Sequence, residues 1–234
     1  MKAKPILFST PMVQAILEGR KTQTRRVIKG YDPTWVWRSG FDGSIAGKIK
    51  DSPYQVGDYL WVRETFIPDP PYEENNIWTI SYADGETREV EPPESYNPVL
   101  YSHERWRPSI HMPKWASRLT LKITDVRVER LQDISEEDAN AEGCNLEWYS
   151  DNAGTENLWP CEKCQGQLVH GAFGANYGVT EVDCSKCDTS KKMFRQLWQS
   201  INGAHSWEDN PWVWCVSFEV INKNISEVLN EPNN

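Results

Sequence analysis

Residues 10–26 read TPMVQAILEGRKTQTRR, a short apolar-rich segment followed by a dense run of polar side chains. Thr10 suits the N-cap, Pro11 suits the first helical position, and Gly19 suits the C′ position that ends a helix. The sequence therefore predicts a helix between Thr10 and Gly19. Three apolar side chains are expected on its buried face: Met12, Ala15 and Ile16.

The octet Gly19 to Arg26 contains one lysine, two threonines and three arginines. Because it leaves the end of a helix, its side chains are free to converge on one ligand. Such a cluster can bind phosphate, and a lysine amine can activate a neighbouring hydroxyl. A solvated basic turn is the structural alternative. Its arginines are candidate substrate-binding residues: Arg20, Arg25 and Arg26.

The composition limits the kinds of partner. The chain has 234 residues, which suits one large domain or one domain with an insertion. A net charge of -9 and a pI of about 5.0 argue against indiscriminate binding to duplex DNA, which favours a basic domain. The acids are concentrated elsewhere, in runs such as 86–94 and 136–138, so a local basic pocket is compatible with this charge.

No apolar run is long enough to span a membrane. Residues 1–12, MKAKPILFSTPM, carry two lysines but lack the apolar core of a secretory signal. These features predict a cytoplasmic protein with no membrane partner.

Four of the six cysteines form two Cys-x2-Cys pairs separated by nineteen residues. This spacing is typical of a zinc ribbon, in which two knuckles each give two thiolates to a tetrahedral site. Four thiolates leave no open coordination position, so the expected zinc is structural rather than catalytic. The predicted ligands are Cys161, Cys164, Cys184 and Cys187.

Several short strands and few helices suggest an α+β chain built on a small β-barrel. Strands are expected at 59–63, 77–82, 119–128 and 213–221, with a possible bulge at Asp125. Ser135 is expected to cap a short acidic helix that ends at Gly143, and another helix begins near Ser190. The main domain is predicted at 1–144 and 189–222, with a metal-binding insertion at 145–188 and a polar, frayed tail at 223–234.

Several motifs together resemble the ASCH domain of the PUA-like superfamily, especially prophage-type members with a zinc-ribbon-like insertion. They cover nearly the whole chain: KPILFSTPMVQAILEGRKTQTRR, GDYLWVRETF, RPSIHMPKWASR, SEEDANAEG, SINGAHSW and NPWVW. The resemblance implies a PUA-like mixed β-barrel with flanking helices. It also implies a cleft that takes a nucleobase, a nucleoside or single-stranded RNA.

Some small bacterial ASCH proteins are amidohydrolases that remove the acetyl group from N4-acetylcytidine. They use a lysine and a threonine of a G-x-K-T-x-T motif and a glutamate on a later helix. The motif falls on Lys21 and Thr24 here, and the glutamate falls on Glu142 in DANAEG. The resemblance therefore implies catalytic roles for these three residues.

The residues themselves are compatible with that chemistry. A desolvated Lys21 can accept the Thr24 proton, and Thr24 can then attack an amide carbon. Glu142 lies at the negative end of a helix dipole, where a cation such as Lys21 would offset the unfavourable charge. A turn hydroxyl and a solvated surface glutamate are the structural alternatives.

Arg63 and Glu64 end a predicted strand and are candidate pocket-lining, substrate-binding residues; an ordinary ion pair at the strand edge is the alternative.

A non-catalytic RNA- or DNA-binding module and a ribonuclease are the competing functions, because the same cations serve binding and catalysis.

Overall fold

A computed structural model describes residues 1–29, 52–71, 76–96, 105–145, 169–173, 179–183 and 185–230. The fold is α+β, as the sequence predicts. Two compact units are present. Unit 1 comprises residues 1–19, 54–125 and 218–234, and unit 2 comprises residues 20–53 and 126–217. No helix in the described ranges is both long enough and apolar enough to cross a membrane.

The described ranges contain ten β-strands: β1 (Ala3–Leu7), β2 (Gln23–Val27), β3 (Tyr59–Arg63), β4 (Phe66–Asp69), β5 (Trp78–Tyr82), β6 (Thr87–Val90), β7 (Thr120–Arg130), β8 (Val169–Phe173), β9 (Val179–Asp183) and β10 (Trp212–Ile221). They also contain four α-helices: α1 (Thr10–Leu17), α2 (Glu136–Ala141), α3 (Ser190–Asn202) and α4 (Ile225–Asn230). Short 3-10 helices occupy Ser109–His111, Lys114–Ala116 and Leu131–Asp133.

The largest sheet has the strand order β1-β3-β7-β10-β2. In it, β1 pairs in parallel with β3, whereas β3 pairs antiparallel with β7 and β10 antiparallel with β2. Strands β4, β5 and β6 form a second antiparallel sheet, and β8 pairs antiparallel with β9 inside the predicted insertion. No pairing among the described strands closes the five-stranded sheet into a barrel.

Helix α1 lies where the sequence predicts it. Its N-cap is Ser9 rather than Thr10, and Gly19 has the positive φ of 74° expected at the C′ position. Ala15 and Ile16 are buried as predicted. The prediction for Met12 is wrong, because the helix presents its neighbour Val13 to the interior and leaves Met12 half-buried.

The strands at the centre of unit 1 follow the predicted alternation. Leu60 and Val62 of β3 are buried, and Leu60 pairs with Leu121 of β7. Two consecutive exposed residues, Thr124 and Asp125, interrupt the alternation in β7. This change of phase falls at the predicted bulge position within one continuous strand. A separate apolar cluster fills the interior beside β4 and β5: Phe66, Ile80, Tyr82, Met112 and Ala116.

The core of unit 2 is built around α2 and α3. Thr189 caps α3 by accepting the Lys192 backbone N–H at 3.2 Å, and Gly203 ends the helix with a φ of 100°. Met193, Phe194 and Trp198 of α3 are buried, and Leu197 is half-buried. The cluster around these helices includes Met193, Phe194, Trp198, Trp207, Cys144 and Cys187.

The end of the chain differs from the predicted frayed tail, because residues 225–230 form α4 and Ile225 is buried. Hydrogen bonds of Asn224 within unit 1 fix the start of this helix. Its side-chain amide donates to the Lys114 carbonyl at 2.9 Å and the Ser117 carbonyl at 2.7 Å. Its side-chain oxygen accepts the Ser226 N–H at 2.8 Å, which starts the helix.

Candidate functional site

The polar octet joins the C-terminal end of α2 through backbone contacts. Lys21 and Glu142 form an isolated antiparallel β-bridge, and the Thr22 N–H donates to the Ala141 carbonyl at 2.9 Å. Ser135 caps α2 as predicted, with its hydroxyl accepting the Asp138 N–H at 3.1 Å. Glu142 is the C-cap residue, so its backbone leaves the helix beside Lys21.

Lys21 and Glu142 form a buried ion pair. The Lys21 Nζ donates to Glu142 Oε2 at 2.7 Å, and the two side chains are 1% and 4% exposed. The same ammonium also donates to the backbone carbonyls of Gln23 and Glu142, each at 2.9 Å. Three acceptors therefore match the three N–H groups of a charged lysine. Its positive charge also offsets the negative end of the α2 dipole.

Arg25 holds the other oxygen of the same carboxylate. Its Nη1 donates to Glu142 Oε1 at 3.1 Å and its Nη2 donates to Asp138 Oδ2 at 2.9 Å. Its Nε donates to Glu129 Oε1 at 3.0 Å. Burial alone would lower the pKa of Arg25, but the negative charges of Glu142 and Glu129 outweigh burial and raise it. The sequence predicts Arg25 as a substrate-binding residue, yet carboxylates of its own chain already occupy its guanidinium.

A third cation completes this group. Arg127 donates to Asp138 Oδ2 and, at 3.4 Å, to Glu129 Oε2. We call the assembly the Lys21–Glu142 network, and it contains three cations and three carboxylates: Lys21, Arg25, Arg127, Glu129, Asp138 and Glu142. The network is balanced in charge, as buried ionic groups need to be.

The network lowers the pKa of Asp138. Burial raises this pKa, but the hydrogen bond from Arg127 and the charges of Arg25 and Arg127 outweigh burial and bring it below the ordinary value. Asp138 is therefore a carboxylate anion over the usual pH range. It acts as an anchor for the two arginines rather than as a proton donor.

Thr24 is buried, with 1% of its surface exposed. Its hydroxyl oxygen accepts a hydrogen bond from Arg26 Nη1 at 2.9 Å. Side chains alternate along a strand, so Thr24 and Arg26 of β2 lie on one face while Gln23 and Arg25 lie on the other. The structure thus joins Lys21 to Glu142 and Thr24 to Arg26. The Lys21 ammonium donates to the backbone carbonyl of Gln23, the residue before Thr24.

The two isolated cysteines do not supply a nucleophile. Cys144 and Cys215 are both buried in the core of unit 2. Burial raises the pKa of each thiol well above its ordinary value. Both are therefore neutral thiols, and a neutral thiol is a weak nucleophile.

Arg63 and Glu64 belong to unit 1, where each has its own partners. The Arg63 guanidinium donates to the Ile110 carbonyl and lies 5.4 Å from the centre of the Trp61 ring. Both Glu64 oxygens accept from Arg118, at 2.9 and 2.8 Å. These contacts favour the ion-pair interpretation of Glu64 over substrate binding.

Arg118 is a central residue of unit 1 that the sequence does not reveal. It also donates to Asp84 at 2.6 Å and lies 4.1 Å from the centre of the Tyr82 ring. Burial raises the pKa of Glu64, an effect that its hydrogen bond with Arg118 opposes. Glu64 and Arg118 are 54 residues apart, so no local spacing in the sequence predicts that they pair.

The predicted zinc site falls mostly outside the described residues, which include Cys187 but neither Cys161, Cys164 nor Cys184. Cys187 is fully buried in the core of unit 2. Within the ranges that are described, no group of three or more metal-ligating side chains is present. The four-cysteine site stays a prediction.

Comparisons with known proteins do not assign a family. No family model matches the chain, and no curated protein matches it. A search of solved structures finds protein EF3133 from Enterococcus faecalis V583, described with the family model DUF984. The two chains are 12% identical with a TM-score of 0.33, over 100% of this chain and 85% of that one. A likeness this weak supports neither a fold nor a function.

Proposed function

We propose that the chain is a cytoplasmic ASCH-domain protein that binds a nucleobase, nucleoside or RNA segment and hydrolyses the amide of N4-acetylcytidine. The proposal includes the PUA-like architecture and the structural zinc in the insertion. Its main support is the buried contact between Lys21 Nζ and Glu142 Oε2 at 2.7 Å. Two of the three residues that the resemblance names, 121 positions apart, meet there.

The pair is suited to moving a proton. Transfer of a proton from Lys21 Nζ to Glu142 Oε2 across this contact would produce a neutral amine and a neutral acid, and exclusion of water by a bound substrate would favour that neutral pair. The proposal requires the Thr24 hydroxyl to reach Lys21 Nζ when substrate is bound; the amine then takes the hydroxyl proton as the Thr24 oxygen bonds to the acetyl carbon. The acid gives its proton to the departing N4 nitrogen of cytosine. Water then hydrolyses the acetyl ester and restores all three side chains.

In the proposed mechanism, Arg26 stabilises the negative charge that develops on an oxygen atom. Its Nη1 already donates to the Thr24 hydroxyl oxygen at 2.9 Å. A guanidinium donor stabilises negative charge that develops on an oxygen. Arg26 is partly exposed, so it is the arginine of β2 best suited to contact a ligand, whereas both terminal nitrogens of Arg20 are buried. Arg25 instead positions Glu142 through its hydrogen bond to Oε1.

The charge balance of the Lys21–Glu142 network favours this proposal over a simple phosphate clamp. A phosphate site needs cations whose donors are available to the ligand. Arg25 and Lys21 both donate to oxygens of their own chain. A nuclease or a binding module that relies on these two cations would first have to break buried ion pairs.

Turnover of N4-acetylcytidine by the purified full chain tests the proposal. We expect release of cytidine and acetate by the parent protein and near-complete loss of that activity in Glu142→Gln. Glu137→Gln is the matched control, because Glu137 is an exposed glutamate of α2. Circular dichroism establishes that each variant is folded, and Lys21→Arg provides a second test that keeps the buried charge.

The outcomes separate the function classes. A parent protein that binds single-stranded RNA but releases no cytidine would favour the binding module. RNA cleavage without cytidine release would favour the ribonuclease.

A further inference from the structure

A cavity of about 500 Å³ lies along α3 in unit 2, and its described lining includes no residue of the Lys21–Glu142 network. Its described lining contains three cations and no carboxylate. The side chains that matter here are Lys186, Lys192, Arg195, Gln196, Gln199 and Ser200. In a chain whose net charge is -9, this is a concentration of positive charge.

The cations are available to an anion. Lys192 pairs with Asp188 at 2.6 Å, and Arg195 pairs with Glu208 at 2.7 Å. All four of these side chains are at least one-third exposed. Exposed pairs contribute little to stability, so an anionic ligand can exchange with their carboxylates. The Lys186 side chain is exposed.

The amide side chains add acceptors beside the cations. Gln196 donates through Nε2 to the Lys186 carbonyl at 2.6 Å, and Gln199 donates through Nε2 to the Ala204 carbonyl at 2.5 Å. Both glutamines belong to the described lining, so their amide oxygens are the acceptors that we assign to the ligand. Hydroxyl and amino groups are the donors that a nucleotide offers to such acceptors, and the ribose 2′-hydroxyl is specific to RNA.

The size and support of the cavity suit a single nucleotide. Pockets for small ligands occupy roughly 300–1,000 Å³, which includes this volume. Met193, Phe194 and Trp198 bury the opposite face of α3, so the lining residues stand on a fixed helix.

We propose that this cavity binds a phosphate-bearing nucleotide of single-stranded RNA. The cations take the phosphate and the two glutamine amides take the ribose. This inference deepens the proposed function and rests on it, because it makes the substrate an RNA strand in addition to a free nucleoside.

Fluorescence anisotropy with a labelled single strand of on the order of 20 nucleotides tests the inference on the full chain. Lys186→Glu and Arg195→Glu reverse one charge each. Lys122→Glu reverses one charge at an exposed position of β7 and is the matched control. We expect each cavity variant to weaken binding by about tenfold at low salt, and the control by less than about twofold. DNA of the same sequence should bind more weakly than RNA, and inorganic phosphate should compete with both.

Three results would overturn the inference: no RNA binding by the parent, equal weakening in Lys122→Glu, or equal affinity for the DNA strand. Turnover of free N4-acetylcytidine is measured on the same samples. Unchanged nucleoside turnover in Lys186→Glu together with weakened RNA binding supports the cavity. Nucleoside turnover by a parent that does not bind RNA would refute the cavity site and leave the proposed function in place.

Discussion

The Lys21 ammonium lies 2.7 Å from Glu142 Oε2, and almost none of either side chain reaches solvent. Arg25 Nη1 holds the other oxygen of that carboxylate at 3.1 Å. One carboxylate thus joins the octet to the end of α2 through two cations. The pair is both a structural bond within unit 2 and the proposed proton carrier of the site.

Removing the charge of Glu142 should destabilise the protein strongly. Glu142→Gln leaves Lys21 and Arg25 buried without their shared counterion. Loss of one member of a buried pair costs about 3–5 kcal/mol. We expect a decrease of this size in the free energy of unfolding measured with urea, and less than the sum of the single effects in the double variant Lys21→Met/Glu142→Gln.

The exposed pair Arg195–Glu208 is the control for burial, because its N–O distance is also 2.7 Å. Glu208→Gln should cost less than about 1 kcal/mol, since solvent screens such pairs. Similar losses in Glu142→Gln and Glu208→Gln would show that burial of the Lys21–Glu142 pair is not important for stability.

Acid should weaken the network through Asp138. The folded state holds the pKa of Asp138 below its ordinary value, so the unfolded chain takes up the proton first as the pH falls. The stabilisation is present above the ordinary aspartate pKa, about 3.9, and is lost as the pH falls through the folded value. We would measure the free energy of unfolding in steps of about one pH unit from about pH 6 to about pH 3. Over this range Asp138→Asn should lose less stability than the parent.

Asp133→Asn is the control for that titration, because Asp133 is an exposed aspartate five residues earlier in the chain. It should follow the parent curve. Parallel curves for the parent and Asp138→Asn would contradict the assignment of the acid-sensitive step to Asp138.

Glu64 should contribute to stability without contributing to turnover. Glu64→Gln removes the bidentate partner of Arg118, at 2.9 and 2.8 Å, and should lower the free energy of unfolding by about 3 kcal/mol. We expect KM and kcat for N4-acetylcytidine to match those of the parent at temperatures where the variant is folded. A raised KM in a fully folded variant would restore Glu64 as a substrate-binding residue.

The paired cysteines should hold one zinc ion per chain. Metal analysis of protein purified without chelator measures the ratio directly. Cys187→Ser should lose the metal, because a tetrahedral structural site needs all four thiolates. Cys144→Ser is the matched control, since Cys144 is also fully buried in unit 2 but lies outside the paired motif. Zinc-free parent protein, or equal metal loss in both variants, would refute the four-cysteine site.

Local signals in the sequence predict the elements well. Gly19, Gly143 and Gly203 end their helices with the positive φ values that glycine favours. Ser135 caps α2, and the alternation of Leu60 with Val62 defines β3. Each of these features depends on residues a few positions apart.

The partners of buried charges are harder to predict. Arg25 and Glu129 are 104 residues apart, and Glu64 and Arg118 are 54 apart. Pairing at such distances depends on how the strands assemble, which no local periodicity encodes. Arg127 and Glu129 lie two positions apart on one face of β7 with opposite charge, which is a local signal for part of the network. The short helix α4 escaped prediction because Asn224 anchors it through carbonyls more than 100 residues earlier.

The central claim is that Thr24, next to the Lys21–Glu142 pair, carries amide hydrolysis. The rate of cytidine release from N4-acetylcytidine by Thr24→Ala and Thr22→Ala tests it most directly. Thr22 is the exposed threonine of the same motif. The account predicts a loss of at least about a thousandfold in Thr24→Ala and a change of less than about twofold in Thr22→Ala. A folded Thr24→Ala variant that releases cytidine at the parent rate would contradict it.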